Sequence, residues 1–183
     1  MTYKTHLAFA YAINIPIIQN LYEREIFDTT STIIALALTF IFALAPDLDH
    51  PKSFLSNIPI FNIISWVIST FSNHRGVTHK FYSAFIPPLL IFGLFSYLNI
   101  YQGIGIKGVD FLSFIAFMAY LSHLLGDCTT KSGIRGFFKP LTKKTIYVVP
   151  KFMRYKTGTS IEGLYFIFFV FLMGFELSGS LFK

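Results

Sequence analysis

Six consecutive residues, His74-Arg75-Gly76-Val77-Thr78-His79, bring together two imidazoles, a guanidinium and a hydroxyl just before a long apolar run that begins at Phe81. Polar groups at the mouth of an apolar helix are costly unless something binds there. Partners occur in three other places: Asp47-Leu48-Asp49-His50 after Pro46, His123 with Asp127, and His6. All five histidines, at 6, 50, 74, 79 and 123, lie in or beside such a cluster. His123 and Asp127 stand four apart, so on a helix both leave the same face one turn from each other. That spacing suits two ligands of one metal or of two adjacent metals. Asp47, Asp49 and His50 put three ionisable groups into four residues, for which packing has no use. A turn or helix cap accounts for one of the aspartates but less well for all three groups. Gly76 permits a bend that aims His74 and His79 to the same side.

The remaining candidates each have two readings. Arg75 is either a positively charged membrane anchor or a planar fork for a phosphate or carboxylate. Thr78 orients a ligand or caps the next helix. Glu162, near a helix start, is favoured there by the helix dipole whether or not it reaches the cluster. Cys128, beside Asp127, reads as a small apolar filler. Five His and three Asp make eight candidate ligands, nine with Glu162. One zinc takes about four ligands and one octahedral ion about six. The surplus points to two or more divalent ions. Imidazole with carboxylate and no thiolate favours zinc or manganese, with iron behind them. Arg75, Asp49 and Thr78 are the residues expected to act beside the metal rather than only hold it.

The chain that must position these groups has a membrane composition. It is 54% hydrophobic and 13% charged over 183 residues, with 23 phenylalanines; soluble domains run at roughly 25% charged. The mean hydropathy is +0.59. The length fits one domain, residues 1–183, and a lone cysteine excludes an intramolecular disulfide. The net charge of +6 is read as membrane topology rather than as a sign of a nucleic-acid partner. Lys4 and Ala10-Tyr11-Ala12 mimic a signal peptide, but the apolar stretch between them is too short, so a retained first helix is expected.

The expected fold is all-α: a multi-pass transmembrane bundle of about five helices plus one short re-entrant or interfacial helix. The helices are expected at Thr5 to about Tyr22, Thr29–Ala45, Phe81–Tyr97 with Pro87-Pro88 near its middle, Asp110–Asp127, and Ile161 to about Phe182. Ile60–Phe71 is too short to span and follows a turn at Ser56–Pro59; another turn falls at Asn99–Gly108. If the five long helices alternate in direction, His6, the 47–50 cluster, the 74–79 cluster, His123 with Asp127, and Glu162 all lie at one membrane face. That face also carries twelve of the fifteen Lys and Arg residues, eight of them in the segment 128–160, which has no Asp or Glu. The positive-inside rule makes the face cytoplasmic. The basic segment either rests on anionic head groups or gathers an anionic substrate.

Pro46-Asp47-Leu48-Asp49-His50, then His74-Arg75-Gly76-Val77-Thr78-His79, then His123-x-x-x-Asp127-x-x-Thr130-x-x-Gly133 resemble, in order, the motifs of the YdjM-like family of bacterial inner-membrane proteins. The likeness runs from His6 to about Glu162. It implies a membrane protein with a His/Asp metal site, labelled a metal-dependent hydrolase. One departure is Lys80, where the family commonly has serine.

The functional expectation is a membrane-bound hydrolase. A metal-activated water would attack a phosphoester or other ester of an anionic, lipid-like amphiphile, with membrane lipid as surroundings and no nucleic-acid partner. The alternative is a metal-ion transporter or a metal-binding regulatory membrane protein. A zinc-protease H-E-x-x-H, a G-x-S-x-G elbow and a Walker A loop are all absent from the sequence.

Overall fold

A computed structural model describes residues 1–71 and 76–181. His74 and Arg75 lie outside the described residues. The described chain forms six α-helices: α1 Tyr3–Glu23, α2 Thr29–Leu44, α3 Pro59–Phe71, α4 Ile86–Gln102, α5 Val109–Cys128 and α6 Ser160–Leu181. Two short strands, β1 Ile134–Arg135 and β2 Thr145–Ile146, pair antiparallel in the basic segment. The architecture is an all-α bundle.

Four stretches are long and apolar enough to cross a membrane: Thr29–Asp49, Phe81–Gln102, Val109–Cys128 and Ser160–Ser178. α1 is not among them, and its position explains why. It packs against α2, α5 and α6, so its polar and small residues face protein. Ala8, Ala10, Ala12 and Asn14 are buried. The Asn14 side-chain amide donates to Thr39 Oγ1 at 3.1 Å and to the Ile115 carbonyl at 3.4 Å, tying α1 to α2 and α5. Such interhelical bonds contribute roughly 0.6–2 kcal/mol each in a membrane. α4 and α6 instead leave Leu89, Leu90, Ile100, Leu164, Phe171 and Phe175 exposed, the pattern of lipid-facing helices.

Several boundaries differ from those expected. Residues Phe81–Phe85 form a 3-10 turn, and α4 begins only at Ile86. Pro87 and Pro88 therefore sit in the first turn, where a missing N–H costs nothing, rather than mid-helix. α2 ends at Leu44, and Ala45–Asp49 tightens into a 3-10 turn that carries Asp47 and Asp49. The turn after α4 is shorter than expected, because the helix continues through Asn99 to Gln102 and Gly103 caps it in the left-handed region. There Asn99 holds Ile106 through both its amide groups, at 2.7 and 2.8 Å. α2 starts on Asp28, whose carboxylate accepts the Ser31 N–H at 2.7 Å.

Candidate metal centre

The start of α1, the 3-10 turn after α2, the approach to α4 and the end of α5 meet at one end of the bundle, as alternating helices would bring them. Five side chains converge there. His6 comes from α1, Asp47 from the turn, His79 from just before Phe81, and His123 and Asp127 from successive turns of α5. His6, His123 and Asp127 form one group whose ligand atoms lie within 4.8 Å of one another; Asp47, His79 and His123 form a second. His6, His79 and His123 are fully buried, and Asp127 nearly so. The Asp47 side chain is 25% exposed, so the centre meets solvent beside it.

The spacing suits metal ligands better than hydrogen bonds. Imidazole Nε2 to carboxylate oxygen is 3.5 Å for His6 to Asp127 and for His123 to Asp47. It is 3.6 Å for His79 to Asp47 and 3.7 Å for His79 to Asp127. These are too long for hydrogen bonds. Two donors that are each about 2.0–2.2 Å from one tetrahedral ion stand roughly 3.3–3.6 Å apart. Both ring nitrogens of His6 and Nε2 of His123 are buried without a hydrogen-bond partner among the described residues, which is costly unless another group takes them up. The donor set therefore fits divalent ions.

Neighbouring groups aim the rings. His123 Nδ1 donates to the Ala43 carbonyl at 2.8 Å, so the neutral ring keeps its lone pair on Nε2, facing Asp47. Thr78 donates its hydroxyl to Asp49 Oδ2 at 2.6 Å and meets His79 Nδ1 at 3.0 Å. Its one proton is committed to the carboxylate, so Thr78 accepts from Nδ1–H, and the lone pair of neutral His79 lies on Nε2, toward Asp47 and Asp127. The Thr78 carbonyl is in turn held by the Tyr120 hydroxyl at 2.6 Å. Burial disfavours the imidazolium of His79, but the carboxylates of Asp47, Asp49 and Asp127 outweigh it and raise its pKa to about 9 in the metal-free chain. His6 stacks flat on His123, with ring centroids 3.6 Å apart. The Met1 amino group also reaches Asp127 Oδ1, at 2.7 Å.

Not every expected ligand stands in this group. Asp49 lies behind His79, with Oδ2 at 3.4 Å from Nδ1, so it orients the ring instead of joining the converging set. Thr78 likewise acts through His79. His50 belongs to the chain reversal after the 3-10 turn, where its Nδ1 accepts the Lys52 N–H at 3.1 Å and its carbonyl accepts the Ser56 hydroxyl at 2.9 Å. Glu162 accepts the Thr2 N–H at 2.5 Å and the Gly158 N–H at 2.7 Å. It clamps the chain start onto α6 and so positions His6 without reaching the centre. The expected roles of His74 and Arg75 fall outside the described residues.

Tyr120 and the Met1 amino group were missed in the sequence, and so were Ala43 and Gly126. Ala43 acts through its backbone carbonyl, which leaves no sequence signal. Gly126 left one: with His123 and Asp127 it completes an i, i+3, i+4 face. A Cβ there would come within 2.6 Å of Met1 Sδ and 3.2 Å of His6 Nδ1, so the glycine lets α1 approach α5 closely enough for His6 to join.

Beside the centre lies a cavity of about 560 Å³ with almost wholly apolar walls. Phe61, Ile64 and Ile68 of α3, Phe42 of α2, and Pro87 and Leu90 of α4 contribute. Thr78 and Tyr120 also line it. Thr78 thus touches both the His79–Asp49 pair and the apolar space.

Fold and site together define an all-α membrane-type bundle that holds a buried His/Asp cluster at one end of its helices. The chain belongs to the YdjM inner membrane protein family, which it matches over residues 1–180. No curated protein and no solved structure matches it.

Proposed function

We propose that this inner-membrane protein is a metal-dependent hydrolase that cleaves a phosphoester or other ester of an amphiphile. The observation that carries the reading is the junction at Thr78, where the His/Asp cluster abuts an apolar cavity large enough for an acyl-like tail. A cavity walled by apolar side chains beside a small convergent polar group is the usual form of a small-molecule site.

His6, Asp47, His79, His123 and Asp127 would hold two divalent ions, zinc or manganese by donor type. His123 offers a single lone pair, because Nδ1 is taken by Ala43, so it serves one ion only. Asp127 would add its carboxylate to the set, with Oδ1 toward His6 and the Met1 amino group and Oδ2 toward His79. When bound, such ions supply an acidified water and polarise the ester oxygen. The protein side of the reaction is positioning. Ala43 and the Asp49–Thr78 pair keep two imidazoles pointing inward. Asp47, at the opening, would complete the ligand set on its exposed side. α3 and α4 would shelter the tail, leaving the scissile group at Thr78.

The inner-membrane family and the four apolar helices of spanning length support a multi-pass topology, and the distribution of basic residues supports a cytoplasmic centre. Among the described residues, eleven of the chain's fifteen Lys and Arg belong to segments at the end of the bundle that carries the cluster. A transporter would be expected to bind near mid-membrane between broken helices; here the ligands sit at helix ends.

The test is wild-type and Asp127→Asn protein purified in detergent. Bound metal, hydrolysis of long- and short-chain phosphoesters, and metal uptake into proteoliposomes would be measured together. The expected result is two ions per chain and chain-length-dependent hydrolysis, both lost in Asp127→Asn. Metal uptake by wild type without hydrolysis of any ester offered would replace the enzyme with the transporter.

A further inference from the structure

The segment joining α5 to α6 has eight cationic residues and no acidic one, and the fold gathers part of that charge around a hollow. Lys80, Arg135, Gly136, Lys139 and Lys143 line a cavity of about 290 Å³. Lys80 enters from the approach to α4; the others come from β1 and the connection that leads to β2. The two segments are joined by the Phe81 N–H, which donates to the Phe137 carbonyl at 2.9 Å. Lys80 Nζ donates to the Arg135 carbonyl at 2.7 Å, which leaves two of its three hydrogens to offer a ligand. Gly136 has φ +62°, a conformation natural to glycine and disfavoured for other residues. There the Gly136 N–H bonds the Lys144 carbonyl and the Lys139 N–H bonds the Gly136 carbonyl, at 2.9 and 3.0 Å.

Backbone hydrogen bonds thus hold the walls in place with the cations around them. Among the described residues, none of the four cations has a carboxylate partner. Four like charges around one small space repel one another, and an anion with several acceptor oxygens would relieve that repulsion through charge-assisted hydrogen bonds. We propose that this hollow is a binding subsite for a phosphate-class anion, supplied as free inorganic phosphate or as a phospholipid head group. Binding at the hairpin does not require the neighbouring centre to hold metal or turn over substrate.

The test uses full-length protein as purified in an uncharged detergent, with thermal unfolding as the readout. One arm adds inorganic phosphate against potassium chloride of equal ionic strength. The other adds short-chain phosphatidic acid against short-chain phosphatidylcholine. Binding to the folded form raises the melting temperature in a saturable way. The expected result is such a rise with phosphate, with phosphatidic acid, or with both; which arm responds identifies the source. Lys139 and Lys143 are exposed, so Lys139→Gln with Lys143→Gln leaves the fold intact and weakens binding by at least about tenfold. A shift no larger than in the controls overturns the subsite. So does a shift of undiminished affinity in the double variant, which would place the anion elsewhere, the metal centre included.

Discussion

The orientation of His79 can be tested by removing one hydroxyl. Thr78→Val keeps the branched side chain, and with it the wall of the apolar cavity, but deletes the O–H that bonds Asp49 at 2.6 Å and the oxygen that meets His79 Nδ1 at 3.0 Å. A hydrogen bond to a charged group is worth roughly 1.5–3 kcal/mol. Loss of the partner that orients a metal-binding histidine typically weakens metal affinity by about 10–100-fold, or roughly 1.4–2.7 kcal/mol. The two magnitudes agree, so the variant is expected to bind metal about 10–100-fold more weakly while still folding. Thr78→Ser restores the hydroxyl and is expected to stay close to wild type. Competition against a chromogenic chelator, in detergent and at fixed pH, measures all three proteins. A Val variant within about twofold of wild type would refute the proposed tautomer and its origin. A Ser variant as weak as Val would show that the methyl group, not the hydroxyl, matters at this position.

Three further outcomes are expected. Cysteine placed at Lys143 should react with an impermeant thiol reagent only after cells are opened, with little background because native Cys128 is buried; labelling of intact cells would reverse the topology. Ile64→Trp, which fills the apolar cavity from α3, should leave bound metal unchanged but lower turnover of long-chain esters at least about tenfold relative to short-chain ones, by overpacking the space for a tail; an equal effect on both would separate that cavity from substrate binding. Asp28→Ala should lower the melting temperature at neutral pH without altering metal binding. The hydrogen bond from the Ser31 N–H holds the Asp28 pKa below its ordinary value. Its contribution is therefore complete above the unfolded value of about 3.9 and disappears as pH falls through the lower folded value. The gap between wild type and variant must close on acidification, and a gap that widened would contradict the cap.

The helix count and the gathering of helix ends were legible because both rest on long-period patterns. Apolar runs set the elements, and a polar cluster closed or opened nearly every one of them. Boundaries were less legible where backbone chemistry overrode composition. Phe81–Phe85 is as apolar as α4, yet it winds as a 3-10 turn, and only then do Pro87 and Pro88 fall where prolines are harmless. Within the site, residue types identified the pool of ligands but not their ranks. Asp47 and Asp49 are two residues apart on one 3-10 turn, so they point in different directions: one toward His123, the other toward Thr78. No one-dimensional spacing separates those outcomes, because which aspartate faces the centre depends on how the turn docks against α5.

His6 and Glu162 show how tertiary packing reverses such rankings. In the sequence, Glu162 looked as able as His6 to reach the cluster, since both are polar residues near helix starts. Glu162 is drawn instead to two backbone N–H groups, of Thr2 and Gly158, which a carboxylate satisfies well where helix ends leave donors open. That clamp fixes the first residues of α1, and Gly126 leaves room for His6 to stack against His123. The acid is thus spent on placing the histidine, and the histidine arrives with both ring nitrogens unbonded among the described residues. The same logic predicts that Glu162→Gln, which keeps an acceptor but removes the charge, acts on metal through position alone. Affinity should fall modestly, by up to about tenfold, with stoichiometry intact. Loss of an ion from the centre in this variant would instead make Glu162 a ligand and require a different arrangement of the chain start.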